Sequence, residues 1–242
     1  MARNKKKRYL NMKRLNSVDW YRFRDLATKL IEFKAKISRS PIRAENWEEV
    51  IYAVLLYMEY EVTWEPTSHA KGVDLKVKIN GEILRISAKG GKVTDNQKLT
   101  LSSYRLTRFG TLPKMLEFLN KNATELDIYL VCAREEEQDS VRYHIFRILP
   151  NVLVPDKALN PDNWEENDQG WKLKADVGFE ANIVKKMSNQ LWYSIPLEFS
   201  HLERLTVIKI SKKDIGSTLV EILKALDKKK WQIRESLESY DS

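Results

Sequence analysis

The sequence predicts an α/β fold in one domain, with α+β left open, and three observations point there. Helical periodicity runs over residues 17 to 37 and again over roughly 45 to 58. Short apolar runs with strand character follow, among them "DIYLVCA", and a further helix-like stretch, "LPKMLEFLNKN", stands among them. The chain has 242 residues with 43% hydrophobic and 31% charged content, enough for a real core and ordinary for a globular protein.

The first helix has Ser17 as its expected N-cap, ahead of Trp20, Phe23, Leu26, Leu30 and Ile31. "SRSPIR" breaks it, and the second helix carries Val50, Ile51, Val54, Leu55 and Met58. "EYEVTWEP" reads as a strand closed by Pro66, followed by the loop "TSHAKG" and the hairpin "GVDLKVKINGEILRISAKGG". A polar stretch to about residue 103 comes next, then the helix in "LPKMLEFLNKN" and strands in "ELDIYLVCA" and "VRYHIFRIL". Residues 150 to 200 read as a loop-rich elaboration with short apolar segments such as "ANIVKKM" and "QLWYSIPLEF". "RLTVIKI" is a further strand, and Ser211 or Ser217 starts a last helix with Leu219, Ile222, Leu223 and Leu226 on one face.

Forty-two Lys and Arg against 34 Asp and Glu leave a net charge of +8, with a pI near 9.3. That excess favours polyanions, nucleic acid first. Much of it crowds residues 1 to 16, a basic arm suited to tracking phosphates or simply to solvation. No run approaches the ~18 apolar residues of a membrane span, and the N-terminus does not read as a signal peptide. The single cysteine, Cys132, reads as a buried strand thiol in a reducing cytoplasm. His69, His144 and His201 lack zinc or HNH spacing, and there is no Walker loop or dinucleotide fingerprint, so no nucleotide cofactor is expected.

The hairpin is the most informative segment. Asn80-Gly81 is the preferred two-residue loop of a type I′ turn, because both positions require positive φ. It pairs 79 with 82, 77 with 84, 75 with 86 and 74 with 87. Val73, Leu75, Val77, Leu84, Ile86 and Ala88 then share a core face; Asp74, Lys76, Lys78, Arg85, Ser87 and Lys89 share a polar one. Asp74 stands opposite Ser87 with Lys89 as its diagonal neighbour, an arrangement equally open to an ordinary surface ion pair. Gly90 and Gly91 behind the lysine suggest bare backbone that a phosphate can approach. A carboxylate, a backbone carbonyl beside it and a lysine suit Mg²⁺-assisted hydrolysis of a phosphodiester.

At these residues the sequence resembles the PD-(D/E)XK nuclease superfamily, most closely the Mrr-like restriction endonuclease pattern. The resemblance covers about residues 46 to 92, in "WEEVIYAVLLYMEYEV", "KGVDLKVKI" and "ILRISAK". It implies a restriction-endonuclease-like core, a central mixed β-sheet flanked by helices, with the catalytic core over 45–133 of a single domain spanning 1–242. It implies Asp74 as metal ligand, Lys89 as catalytic lysine, and Glu48, or Glu49 one position out, as the helix acid. The Ala88 carbonyl completes the implied ligand set. Ser87 departs from the pattern, which has Glu or Gln there, and is expected to assist through its hydroxyl or a metal-bound water.

The expectation is therefore a cytoplasmic, Mg²⁺-dependent type II restriction endonuclease, a homodimer acting on double-stranded DNA. A methyl-directed Mrr-like or junction-resolving nuclease, and a non-catalytic DNA-binding protein on a degenerate nuclease fold, remain alternatives. DNA contacts are expected from Lys92, Asn96, Gln97, Lys98, Ser102, Ser103, Tyr104, Arg105 and Arg108, whose side chains suit phosphates and base edges. Asn189 and Gln190 are expected in a second reading segment, which the 150–200 elaboration would carry unless it serves dimerisation.

Overall fold

The computed structural model describes residues 15–38, 40–64 and 72–224. Two helices open the chain, α1 (Trp20–Ile37) and α2 (Ala44–Tyr57), followed by β1 (Glu61–Trp64), β2 (Leu75–Ile79), β3 (Glu82–Val93) and β4 (Lys98–Arg105). Helix α3 (Leu112–Glu125) leads to β5 (Ile128–Glu136) and β6 (Ser140–Ile148), then the short helices α4 (Pro150–Leu153) and α5 (Asp156–Leu159). Strands β7 (Trp164–Asn167), β8 (Gly170–Leu173), β9 (Glu180–Val184), β10 (Gln190–Pro196) and β11 (Glu203–Ser211) complete the sheet. The protein is thus α/β, with one mixed sheet of 11 strands among the described residues. The order is β11-β6-β5-β3-β4-β10-β9-β8-β7, and β2, carrying β1, joins β3 outside that path.

Each face of the sheet has its own core. Helices α1 and α2 bury Phe23, Ile31, Trp47, Ile51 and Leu55 against Leu75, Leu84, Ile86, Ala88, Leu130 and Cys132. Helix α3 buries Met115, Leu116 and Leu119 with Leu101, Tyr129, Val131, Ala133, Leu191 and Tyr193 on the opposite face. Strand β5 feeds both cores alternately, which is why "IYLVCA" is apolar without a break. Burial pushes the Cys132 thiol up to about 12, as expected of a packed rather than reactive cysteine.

Local chemistry explains the elements. Asp19, not Ser17, caps α1 by accepting from the Arg22 N–H at 3.0 Å. Helix α2 is pinned by the Trp47 indole, which donates to the Leu130 carbonyl at 2.9 Å. It ends on Glu59 at φ 67°, with Glu59 N–H donating to Leu56 and Tyr60 N–H to Leu55, the bond pattern of a Schellman cap. Asn80 and Gly81 have φ of 49° and 79°, so the hairpin turn and its register, Ile79↔Glu82 through Leu75↔Ile86, are as expected.

Two expectations need correction, and two others fall partly outside the described residues. The polar stretch before residue 103 holds strand β4, whose apolar residues alternate with Thr and Ser. The 150–200 segment is not loop-rich: it contributes β7 to β10, which extend the sheet beyond β4. Of the basic arm over 1–16, residues 1–14 lie outside the described ones, and Leu15 is a buried core residue. The last helix begins at 217, and Leu219, Ile222 and Leu223 are exposed; Leu226 lies outside the described residues. No helix among the described residues is long and apolar enough to cross a membrane.

A Cβ placed on Gly91 would stand 2.9 Å from the Thr100 carbonyl oxygen, backbone that cannot give way cheaply. Gly91→Ala is expected to lower stability by about 1–3 kcal/mol through overpacking, read as a lower urea midpoint with an unchanged m-value.

Candidate functional site

The candidate site lies where strand β3 passes from one partner to the next. Its residues 82–86 pair with β2, while 91–93 pair with β4 on the same edge. Residues 87–90 fall between the two ladders. Asp74 stands one residue before β2, its N–H held by the Ile86 carbonyl at 2.9 Å, so its carboxylate enters this gap. There Oδ2 accepts from the Ala88 N–H at 2.7 Å, from Ser87 Oγ at 3.0 Å and from Lys89 Nζ at 3.5 Å. Within a strand the N–H and C=O of one residue leave by the same edge, so the Ala88 carbonyl opens into the same gap.

Glu48 is carried by α2. Its carboxylate accepts from Trp64 Nε1 at 3.2 Å, and Trp64 in turn is paired with Leu75 at the start of β2. Burial raises the Glu48 pKa above the usual glutamate range; the Trp64 N–H opposes the rise, Asp74 adds to it and Lys89 subtracts from it. The electrostatic reach of Asp74 and Lys89 marks Glu48 as a neighbour of the gap. Glu49 is committed elsewhere, 2.7 Å from Lys34 Nζ on α1. The geometry favours Glu48 over Glu49 as the helix acid.

Ser87 corrects the picture of a polar face. It is fully buried, and its hydroxyl donates to Asp74. Its neighbour across the parallel ladder is Tyr129 on β5, whose hydroxyl lies 3.0 Å from that of Tyr104. Burial pushes the Tyr129 phenol up to about 12 and the Tyr104 phenol up as well, so both stay neutral. Tyr104 also fills the space over Gly72: a Cβ there would lie 2.6 Å from its ring, and φ is 65°. Ser87 is therefore a buried donor that holds Asp74 in place, with no open side to offer a metal.

The two glycines are also explained by packing. A Cβ on Gly90 would stand 3.2 Å from the Ala44 nitrogen, where α2 begins. With the Gly91 contact already described, both glycines make room for the protein's own backbone, not for a phosphate.

Of the residues expected at DNA, two are structural. Tyr104 is buried in the second core, edge-on to Phe118, and Gln190 is buried with Oε1 accepting from Arg105 and Nε2 donating to the Ser103 carbonyl. The strand pairing of β4 with β10, not surface exposure, accounts for them. Lys98 is ion-paired with Glu180 at 2.7 Å, and Gln97, at φ 54° in the β3–β4 turn, donates to Glu135. Ser102 and Ser103 are half-buried on β4, and the Asn189 carbonyl accepts from the Leu106 N–H. Lys92, Asn96, Arg105 and Arg108 are exposed, Arg108 with its guanidinium over the Phe109 and Phe118 rings. Reasoning from sequence missed Trp64 altogether; its place at the end of the strand before the hairpin was the available signal.

The donor set fits a hard cation. Asp74 and Glu48 offer carboxylate oxygens and Ala88 a carbonyl, and the three donors to Asp74 among the described residues all fall on Oδ2. Among the described residues no three His, Cys, Asp or Glu side chains form a metal-holding group. Two carboxylates with waters and substrate oxygens are the sparse protein share that Mg²⁺ accepts. No protein-family model, curated protein or solved structure matches this chain. The reading of the site rests on its own geometry.

Two outcomes are expected. Ser87→Glu would force a longer, charged side chain against Tyr129 and cost at least about 1–3 kcal/mol, read by thermal melting. Trp64→Phe removes the donor that holds the Glu48 pKa down, so that pKa should rise further in a carboxyl-carbon NMR titration. The sign for stability follows: with its folded pKa above the unfolded value, Glu48 favours the folded state while protonated. That contribution is full below the unfolded pKa and is lost as pH rises through the folded one.

Proposed function

We propose that this chain is a Mg²⁺-dependent endonuclease acting on double-stranded DNA, of the type II restriction kind and working as a homodimer. The observation that carries the reading is the convergence of Asp74, Lys89 and the Ala88 carbonyl in one gap of β3, with Glu48 beside it. The net charge of +8 supports a polyanionic substrate. A two-fold dimer supplies the second active site needed to cut both strands of a symmetric sequence.

In this mechanism Asp74, Glu48 and the Ala88 carbonyl would hold the cation. Bound there, Mg²⁺ would supply Lewis-acid polarisation of a phosphoryl oxygen and a more acidic water. The chain's own groups do the rest. The Ala88 N–H and Ser87 hydroxyl fix one oxygen of Asp74, which leaves the carboxylate little freedom to rotate. Lys89, 3.5 Å from Asp74 Oδ2, would orient the attacking water and oppose charge building on the phosphate. Glu48 must be ionised to take part, so its raised pKa moves the acid limb of activity upward from the usual glutamate range.

The presence of two carboxylates among the described residues of the site favours one further reading, a DNA-binding protein that does not cut. Incubating the chain with phage DNA and Mg²⁺ separates the two. Discrete fragments are expected from the wild type, and a loss of about 10²–10⁴-fold in rate from Lys89→Ala, with Asp74→Ala at least as severe. Full cleavage by either variant would overturn the assignment, and binding without any cleavage by the wild type would establish the second reading.

A further inference from the structure

We infer that Lys76 and Arg85, facing each other across the hairpin, form a second anion site that takes the phosphate next to the scissile one on the cut strand. The inference rests on the nuclease reading and deepens it. Its basis is the register of β1, β2 and β3. Lys76 pairs with Arg85 on β3 and with Thr63 on β1. Directly paired residues point to one face, and side chains two apart along a strand share it. Lys76 therefore follows Asp74, and Arg85 precedes Ser87 and Lys89, on a single face of the hairpin. The helices lie on the other face, where Leu75, Val77, Leu84 and Ile86 are buried against α1 and α2.

Beyond the candidate site the shared face is open. Ser87 is fully buried and its ladder partner Tyr129 packs in the α3 core, so the cover reaches that row. One row on, Lys76 is exposed and 39% of the Arg85 side chain reaches solvent. In the row after that, Lys78 and Ile83 pair and both are exposed. Two residues of strand separate the Lys76–Arg85 row from the Asp74–Ser87 row, about 6.5 Å. Neighbouring phosphates of one DNA strand are separated by a step of the same order.

The charges in these rows are not balanced alike. Lys78 is matched by Glu61 across β1 at 2.8 Å. Lys76 lies between Thr63 and Arg85, and it has no ion pair among the described residues. Like charges set directly opposite each other destabilise a sheet. Asp127 offsets Arg85 in part: its Oδ2 lies 3.7 Å from Arg85 Nη1 and also accepts the Arg85 N–H at 2.8 Å. An anion lying over the row relieves the remaining repulsion. Arg85 offers a planar fork and Lys76 a mobile point charge, a pairing suited to phosphate oxygens. With Asp74 and Lys89 in the next row, the two sites stand in line along the strands, which fits a backbone better than a lone small anion.

The test uses the full chain in Ca²⁺ and measures binding of a labelled duplex carrying the cut sequence by anisotropy against salt. Lys76→Ala should reduce the salt slope by about one, and Lys76→Glu should weaken binding about tenfold or more, both melting normally. Lys29→Ala, on the exposed face of α1, removes the same charge from the other side of the sheet and should bind within about twofold of wild type. A neutral methylphosphonate at a phosphate next to the scissile one should cost wild type more than it costs Lys76→Ala or Arg85→Lys. If both Lys76 variants bind like Lys29→Ala, or no neighbouring position shows that difference, while wild type cuts, the second anion site is wrong and the nuclease reading stands. If wild type cuts no duplex, no phosphate is scissile, and the nuclease reading fails and takes this site with it.

Discussion

The bond from the Ala88 N–H to Asp74 Oδ2, 2.7 Å long, is the constraint on which the site depends. A β-strand interior normally spends every N–H and C=O on its neighbours. Strand β3 breaks this rule for a few residues because β2 has stopped and β4 has not begun. The N–H that would be orphaned there is claimed by a side chain instead of a strand. A charge-assisted bond of this kind is worth about 1.5–3 kcal/mol, enough to hold a carboxylate at a sheet edge that would otherwise fray. The neighbouring carbonyl is left facing the same space as the carboxylate it helped to place. Structure and chemistry here are one arrangement.

Ser87 shows how the surroundings limit that chemistry. An ionised carboxylate buried at its position without a partner would cost several kcal/mol after relaxation. A serine hydroxyl costs far less and returns a hydrogen bond to Asp74. Tyr129 and Tyr104, buried beneath it, occupy the space on that side and remain neutral. The second acid therefore has to come from outside the sheet, and Glu48 on α2 is the carboxylate whose ionisation Asp74 and Lys89 both influence. Trp64 ties it to the end of β1, so helix, strand and hairpin are coupled through one side chain.

The register of the hairpin was legible because Asn80-Gly81 leaves one turn type, and one turn type leaves one pairing. That was enough to bring Asp74, Ser87 and Lys89 together before any coordinates. The burial of Ser87 was not legible, since a strand's alternation distinguishes two faces without saying whether the polar one is covered. Here α3, more than twenty residues later in the chain, packs over it. Gly90 and Gly91 were misread for the same reason: small size reports close approach, not what approaches. Strands β7 to β10 escaped because each is short and bounded by Gly, Pro or Asn, so only the ladder that begins where β10 pairs with β4 gives them a place. Tyr104 and Gln190 looked like reading residues until that pairing turned them inward.

The same change of partner that opens the gap also divides the sheet. On the β2 side of β3, α1 and α2 cover the face shared by Ala88, and the core is complete. On the β4 side that face carries Lys92, Thr100 and Ser102, residues that need no cover. A helix laid there would have met polar groups it could not satisfy, at a cost of about 1–3 kcal/mol for each one buried. The covering helices stop where Ala44 meets Gly90, and the candidate site stands on that boundary. Lys89 leaves β3 on the opposite face, where its ladder partner Val131 packs in the α3 core, so the polarity of β4, β10 and β9 on the Lys92 face and the placement of the lysine are two separate consequences of one strand order.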